Sequence, residues 1–391
     1  MKTILTSESI PIKLWLDDIE EGALQQARNL ANLPFAFHHI AIMPDAHFGY
    51  GMPIGGILAT EDVIIPNAVG VDIGCGVCAV KTSETDIDQS RMKQAMKAIR
   101  KNVPLGFKHH QKPLPVETLP PLQSAANGQL PIVEQQYDNA RTQAGTLGGG
   151  NHFIEFQQAS DQRIWIMVHS GSRNLGFKVA HHYNKIAASL NKKNRLPIPP
   201  AWQLACLPLD SKEGRHYLDE MNYCVNFAHK NRLLMLERIQ EAFLETVGAD
   251  IHFDPPINIA HNYAAAETHF GKKVMVHRKG ATRAYLDEIG IIPGSQGTAS
   301  FIVAGKGNPE SFCSCSHGAG RRLGRKQAQR QLDLEAEKKK LEQQGILHAL
   351  RRRRDLEEAA GAYKDIQKVI SLQEDLVDVL EILQPLAVIK G

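Results

Sequence analysis

Aromatic residues make up only 6% of the 391-residue chain, tryptophan occurs three times and cysteine six times. Six thiols over this length do not make the disulfide framework that holds small secreted domains together. No apolar run approaches the ~18–20 residues of a membrane-spanning helix. The apolar stretch at the N-terminus is too broken for a signal peptide, so a cytoplasmic protein with no membrane partner is expected. Charge of one sign is also missing: the formal net charge is +3. With 43% hydrophobic and 22% charged residues, the composition excludes collagen, coiled-coil fibre and wholesale disorder. What is abundant is histidine, at 17 residues, in a chain long enough to bury a substantial core.

The pattern along the chain mixes helix and strand signals. Asp17 to Asn32 has the apolar spacing of an amphipathic helix, and His39–Met43, Ile54–Ala59 and Gly76–Lys81 read as short buried strands. A polar helix is expected from about Asp86 to Lys101. Six prolines between Pro104 and Pro131 predict a loop or lid, and Lys192 to Pro208 is a second interruption. Ser211–Val247 carries a long helical stripe through Met221, Val225, Leu233, Leu236 and Ile239, as core packing requires. Residues 321–354 hold 12 Lys/Arg against 4 Asp/Glu. This basic helical segment is either a solvated face or a surface for a phosphate backbone.

Six strings, all but NIAHNY containing glycine, carry metal-ligand residue types: PDAHFGYG (Pro44–Gly51), VDIGCG (Val71–Gly76), GGGNHF (Gly148–Phe153), HSGSR (His169–Arg173), NIAHNY (Asn258–Tyr263) and SHGAGR (Ser316–Arg321). Glycine lets a backbone approach a ligand closely, so side chains beside such turns can converge on one pocket. Each string alone is weak, since a single histidine is more often a core or surface residue. Cys75 and Cys78 have CxxC spacing, but a strand over 76–81 would send them to opposite faces, against a zinc knuckle. Cys78, Cys313 and Cys315 read as structural. Together, one thiolate, one carboxylate and three imidazoles (Cys75, Asp72, His152, His169, His261) suit zinc, manganese, cobalt or iron.

In this order the strings resemble the RtcB family of RNA ligases, from PDAH to the terminal Ala387–Gly391. The resemblance implies an α+β fold: one large mixed domain over 1–391, with central sheets around a deep metal- and GTP-binding cleft. It implies a GTP- and Mn(II)-dependent enzyme, of tRNA splicing or RNA repair. Such an enzyme joins 2′,3′-cyclic-phosphate or 3′-phosphate RNA ends to 5′-hydroxyl ends through a guanylylated histidine. RNA and GTP are the implied partners.

Carried over by residue, the nucleophile is His317, with Gly318, Ala319 and Gly320 crowding the phosphate and a basic helix following. Cys75 bridges two manganese ions, with His152 and His169 completing one site and Asp72 and His261 the other. Asn151 and Asn262 bind phosphate or orient ligands. Glu155 and Lys390 read guanine, and Tyr363 (in AYKDI) stacks on or flanks the base. Asp45 is expected near the incoming 5′-hydroxyl or its metal. His47 is left open among ligand, RNA contact and turn residue. Arg173, Arg321 and Arg322, with Arg325, are expected to grip RNA phosphates.

Three positions depart from the family pattern: Tyr50 where lysine is frequent, Gly324 where serine is common, and Gln296 (in PGSQGT) where methionine is common. They suggest a divergent repair subgroup. Two rival readings are a metal-dependent RNA end-processing phosphoesterase that does not ligate, and an RNA-end-binding factor recruited to the translation machinery.

Overall fold

The computed structural model describes residues 1–122 and 129–391, so part of the proline-rich stretch expected to form a loop or lid lies outside the described residues. The fold is mixed α+β, built on two large sheets. The first has six strands in the order Thr3–Leu5, Ile12–Leu14, Ala36–His47, Ile54–Thr60, Lys272–Lys279 and Asn262–His269. The second has seven: Ile257–Ala260, Gly76–Lys81, Ile164–Ser170, Phe153–Gln158, Val377–Lys390, Ser300–Gly305 and Ile289–Ile292. Its two edge strands touch, so the sheet curls toward closure.

Side-chain alternation decides which residues of the seven-stranded sheet face the core and which face the curl. Cys78, Val80, Ile154, Phe156, Ile166 and Val168 pack outward against Met235, Leu236, Ile239 and Phe243 of the helix Lys212–Thr246. Val77, Ala79, Trp165 and Met167 face inward with Ile291, Ile302 and Leu383. The inward parity carries on to polar residues at one end of the strands. Phe153 pairs with His169 and with Lys390, and Glu155 pairs with Val388. Cys75 keeps the parity of Val77 and faces the same end. Hydrophobic burial thus fixes the register that places the polar residues.

The two sheets meet at His261. This single residue lies between the strand Ile257–Ala260 of one sheet and Asn262–His269 of the other. Its backbone N–H donates to Cys75 O at 2.8 Å.

Several expectations are met closely. The strand Gly76–Lys81 has the expected bounds, and Ser211 caps the long helix through its side chain, 3.0 Å from Gly214 N. The first helix is shorter than the periodicity suggests, Glu21–Ala31, because Asp17 and Asp18 lie outside it. PDAH is not a turn: Pro44–His47 ends the strand Ala36–His47, across a register shift between Ile42 and His47. The 321–354 segment is not one helix either. It forms Arg325–Gln331 and Leu334–Gln343, separated at Leu332 and Asp333, with the arginine run beyond both.

The middle of the long helix stitches the site-bearing segments together. Asn231 Oδ1 accepts from the backbone N–H groups of Gly145 and Thr146, while its Nδ2 donates to Ser170 Oγ and Gly171 O. Arg232 is fully buried and donates to Gly74 O, Ser170 O and Asn258 Oδ1 at 2.9, 2.9 and 2.7 Å. Removing these donors leaves buried acceptors unpaired, at ~1 kcal/mol or more apiece. Arg232→Met is therefore expected to lower stability in urea denaturation by about 3 kcal/mol; an unchanged midpoint would contradict this bracing role.

Candidate metal and nucleotide site

The residues singled out in the glycine-rich strings converge, although they come from both sheets and from loops far apart in sequence. Two overlapping triads could each hold a metal ion: Cys75, His169 and His261, and Asp72, Cys75 and His152. Within each, the donor atoms lie within 4.8 Å of one another. Cys75 Sγ is 3.4 Å from His169 Nε2 and 3.5 Å from His152 Nε2, and His152 Nε2 is 3.0 Å from Asp72 Oδ2. Cys75 belongs to both triads, as a bridging ligand must.

The pairing of the other ligands corrects the sequence expectation. His152 belongs with Asp72, and His261 with His169. The reason is local: His152 sits just before its strand and turns toward the Asp72 loop, whereas His169 ends a strand beside the sheet crossing that carries His261. The rings of His169 and His261 are 5.2 Å apart between centroids.

Electrostatics fits a cation-binding role. Burial first, and then the charge of Asp72, pushes the Cys75 thiol well above its ordinary value. Burial pushes His169 and His261 well below theirs, aided by neighbouring histidines, so both imidazoles are neutral at pH 7. Desolvation opposes ionisation of Asp72, but the hydrogen bond and charge of His152 outweigh it and bring the carboxyl below its usual range. His169 Nδ1 lies 3.2 Å from Asn151 O, which favours the tautomer with a free lone pair on Nε2. Asn262 is a positioning group: its Nδ2 donates to Asp72 O, and its Oδ1 accepts from Gly280 N. A soft thiolate with neutral imidazoles and a carboxylate is a donor set for a borderline transition metal.

His317 follows the short strand Ser314–Ser316, its ring centroid 4.8 Å from that of His261. Its Nδ1 is 2.6 Å from Asp45 Oδ2, which also accepts from the His317 backbone N–H at 3.1 Å. Asp45 is fully buried. It therefore sits behind the histidine, not among the metal ligands, which corrects the expectation that it meets an incoming hydroxyl or its metal. With Nδ1 bound to the carboxylate, Nε2 is the ring nitrogen left for chemistry. Two glycines are required by close approach. A Cβ on Gly320, whose φ is +71°, would lie 2.0 Å from Asp45 O, and one on Gly171 would lie 2.1 Å from Asp72 Oδ1.

His317 opens onto a cavity of about 160 Å³, lined also by Asn151, Glu155, His169, Gly318, Ala319, Gly320, Tyr363 and Lys390. His47 and Gln296 line it too. Burial raises the Glu155 carboxyl to about 8 and lowers the Lys390 ammonium, each partly countered by the other.

One residue of this wall escaped the sequence reading. Glu358 is buried and pairs with Arg321 at 3.2 Å, Arg325 at 3.6 Å and Lys390 at 4.0 Å, and it accepts from the Tyr363 hydroxyl. It follows an arginine run that reads as solvated, so nothing local marks it. Lys364 was missed as well. Its ammonium donates to Pro44 O and Ala46 O on either side of Asp45, and its backbone N–H to Gly320 O, clamping the two segments that carry Asp45 and His317.

The expected phosphate grips fare differently. Arg321 is turned inward, with Nε donating to Leu323 O and its terminal nitrogens to Glu358, Tyr363 and Glu357. Arg173 braces Thr146 Oγ1 and Gly106 O. Arg322 is exposed and donates to Gly361 O.

The family model for tRNA-splicing ligase RtcB matches residues 26–391. RNA-splicing ligase RtcB1 of Escherichia coli ATCC 25922 is 37% identical over 409 aligned residues, covering 99% of each chain. RNA-splicing ligase RtcB of Escherichia coli K12 is 36% identical with the same coverage. The tRNA-splicing ligase RtcB of Thermococcus kodakarensis is 34% identical, covering 98% of this chain and 95% of its own. With a metal-ligand cluster shared through Cys75 and near-complete alignment to these ligases, the chain belongs to the RtcB family and is a ligase of that family.

Proposed function

We propose that the protein joins RNA ends by a GTP-dependent route in which His317 carries GMP. The observation that carries this reading is the pairing of His317 Nδ1 with the buried Asp45, beside the metal triads and facing the cavity. Asp45 holds the imidazole in the tautomer whose Nε2 bears the lone pair, and it stabilises the positive charge that develops when Nε2 attacks. In the first transfer the Nε2–phosphorus bond forms at the α-phosphorus of GTP and pyrophosphate leaves. GMP then passes to an RNA 3′-phosphate, and attack by a 5′-hydroxyl forms the phosphodiester and releases GMP. A cyclic phosphate is first opened to a 3′-phosphate.

Two Mn(II) ions, held by Cys75 with His169 and His261 and by Cys75 with Asp72 and His152, would polarise phosphoryl oxygens and stabilise developing negative charge. Gly318–Gly320 lets backbone N–H groups approach the phosphate, and Asn151 supplies an amide on the opposite wall. Glu155 and Lys390 face the same cavity as an acceptor and a donor. Guanine offers N1–H and an exocyclic amine, two donors that favour the ionised form of Glu155, and O6 to the ammonium. Adenine reverses that pattern and leaves the groups unpaired. Tyr363 flanks the base, its ring held 5.0 Å from the Arg321 guanidinium. A phosphoesterase would have no use for a guanine-reading pair, so the joint placement of His317, Glu155 and Lys390 favours ligation.

With α-labelled GTP and Mn(II), the wild type is expected to take an acid-labile covalent label that His317→Ala cannot take. Asp45→Asn should label at least a hundredfold more slowly, about the worth of a positioned proton-transfer partner. Equal labelling of His317→Ala would refute the nucleophile assignment. The metal pairing has its own signature in metal content per chain: Cys75→Ala should lose both ions, whereas His152→Ala and His261→Ala should each lose one. Full occupancy in Cys75→Ala would contradict bridging. Glu155→Gln with Lys390→Met should erode the preference for GTP over ATP in the labelling reaction; an unaltered preference would place guanine reading elsewhere.

A further inference from the structure

A second, larger cavity has Val71, the residue before Asp72, in its wall. It has a volume of about 870 Å³ and runs between the helix Arg173–Lys193 and the segment that follows it. Its lining sets His181, Lys185, Lys192 and Arg195 among apolar residues that include Leu196, Ile198, Pro199 and Leu204, and contains no aspartate or glutamate. Tyr50, 59% exposed, and Val71 form part of the facing wall.

Two short segments run from this groove, one to the catalytic cavity and one to the metal triads. His47 lines the cavity that holds His317, while Tyr50, three residues on, lines the groove. Val71 lines the groove, while Asp72, the next residue, is a metal-triad member. The buried Lys279 ammonium ties two residues of the groove wall together, donating to Tyr50 O at 2.5 Å and Asn67 O at 3.0 Å. The wall is therefore fixed by internal bonds.

We infer that this groove is the track along which a single-stranded RNA end reaches the metal cluster. The assignment rests on the RNA-joining reading above and extends it by naming the surface that takes the strand. Cations without a nearby carboxylate suit a phosphodiester backbone, and an exposed tyrosine offers a face on which any base can stack. The nucleotide and the strand would thus approach the cluster from separate cavities. Arg321 and Arg173, turned to protein partners, are not needed for the grip. No base-reading group is required, so the groove selects single-stranded polyanion, not sequence.

The test compares the wild type with Lys185→Glu/Lys192→Glu and with Tyr50→Ala, using a labelled 5′-hydroxyl RNA oligonucleotide and fluorescence anisotropy over a range of salt. All three altered side chains are exposed, so the fold should hold, and melting temperature checks this. The lysine pair should weaken RNA binding by about tenfold or more at low salt and reduce the salt slope by roughly 1.4, for two lost single-strand phosphate contacts. Tyr50→Ala should weaken binding about tenfold with the slope unchanged. Labelling of His317 by GTP should match wild type in the lysine variant, with the loss confined to the KM for RNA in ligation. Unchanged affinity and slope in both variants would overturn the assignment, as would a parallel loss of GTP labelling. If wild-type protein takes no GTP label yet the groove variants lose RNA binding, the guanylylation reading fails while the strand track stands.

Discussion

The rest of the structure depends on a desolvated set of donor atoms in which only Asp72 and His152 pair with each other, at 3.0 Å. Cys75, Asp72, His152, His169 and His261 are packed within contact distance around one sulfur. Burial makes the thiol reluctant to ionise and the imidazoles of His169 and His261 reluctant to protonate. An arrangement of this kind is poorly satisfied by protein alone and well satisfied by cations, which draw off the thiol proton and take the imidazole lone pairs. The surrounding scaffold keeps the set from relaxing: Arg232 holds Gly74 O and Ser170 O, Asn231 holds the Gly145–Thr146 turn, and Asn262 holds Asp72 O.

The architecture explains how residues so distant in sequence meet. One sheet contributes Cys75, His169, Glu155 and Lys390 through inward-facing positions at a single end of its strands. The other contributes Asp45 at the end of a central strand. His261 stands where the chain leaves one sheet for the other, and His317 lies against it. His317, backed by Asp45 of one sheet, and the donor atoms around Cys75 on the other are thus supported separately, and the crossing sets their separation. Lys364 then ties the Asp45 strand to the His317 turn, so the imidazole is oriented from behind by groups that touch no substrate.

Much of this was legible in the sequence, for identifiable reasons. Gly76–Lys81 and the long helix near Ser211–Val247 are strongly periodic segments with clear ends, and their burial follows from their own pattern. The ligand types were legible because glycine-rich turns exclude bulky alternatives. The division of ligands between triads was not, because it depends on where each histidine sits relative to a strand end in three dimensions. Asp45 was misplaced for a related reason: nothing within PDAH shows that the strand continues through it or that His317 lies opposite. Asn231 and Arg232 resemble the polar face of an amphipathic helix, and only the fold reveals that this face is buried against loops. The charge of 321–354 was visible, but Asp333, which caps the second of two helices, divides it.

The central claim is that two cations share the Cys75 sulfur beside His317, and anomalous diffraction at the manganese absorption edge tests it most directly. Crystals grown with Mn(II) should show two peaks, one among Cys75, His169 and His261 and the other among Asp72, Cys75 and His152, both within bonding distance of Cys75 Sγ. A map without density at these triads, or with one ion that leaves Cys75 uncoordinated, would contradict the account.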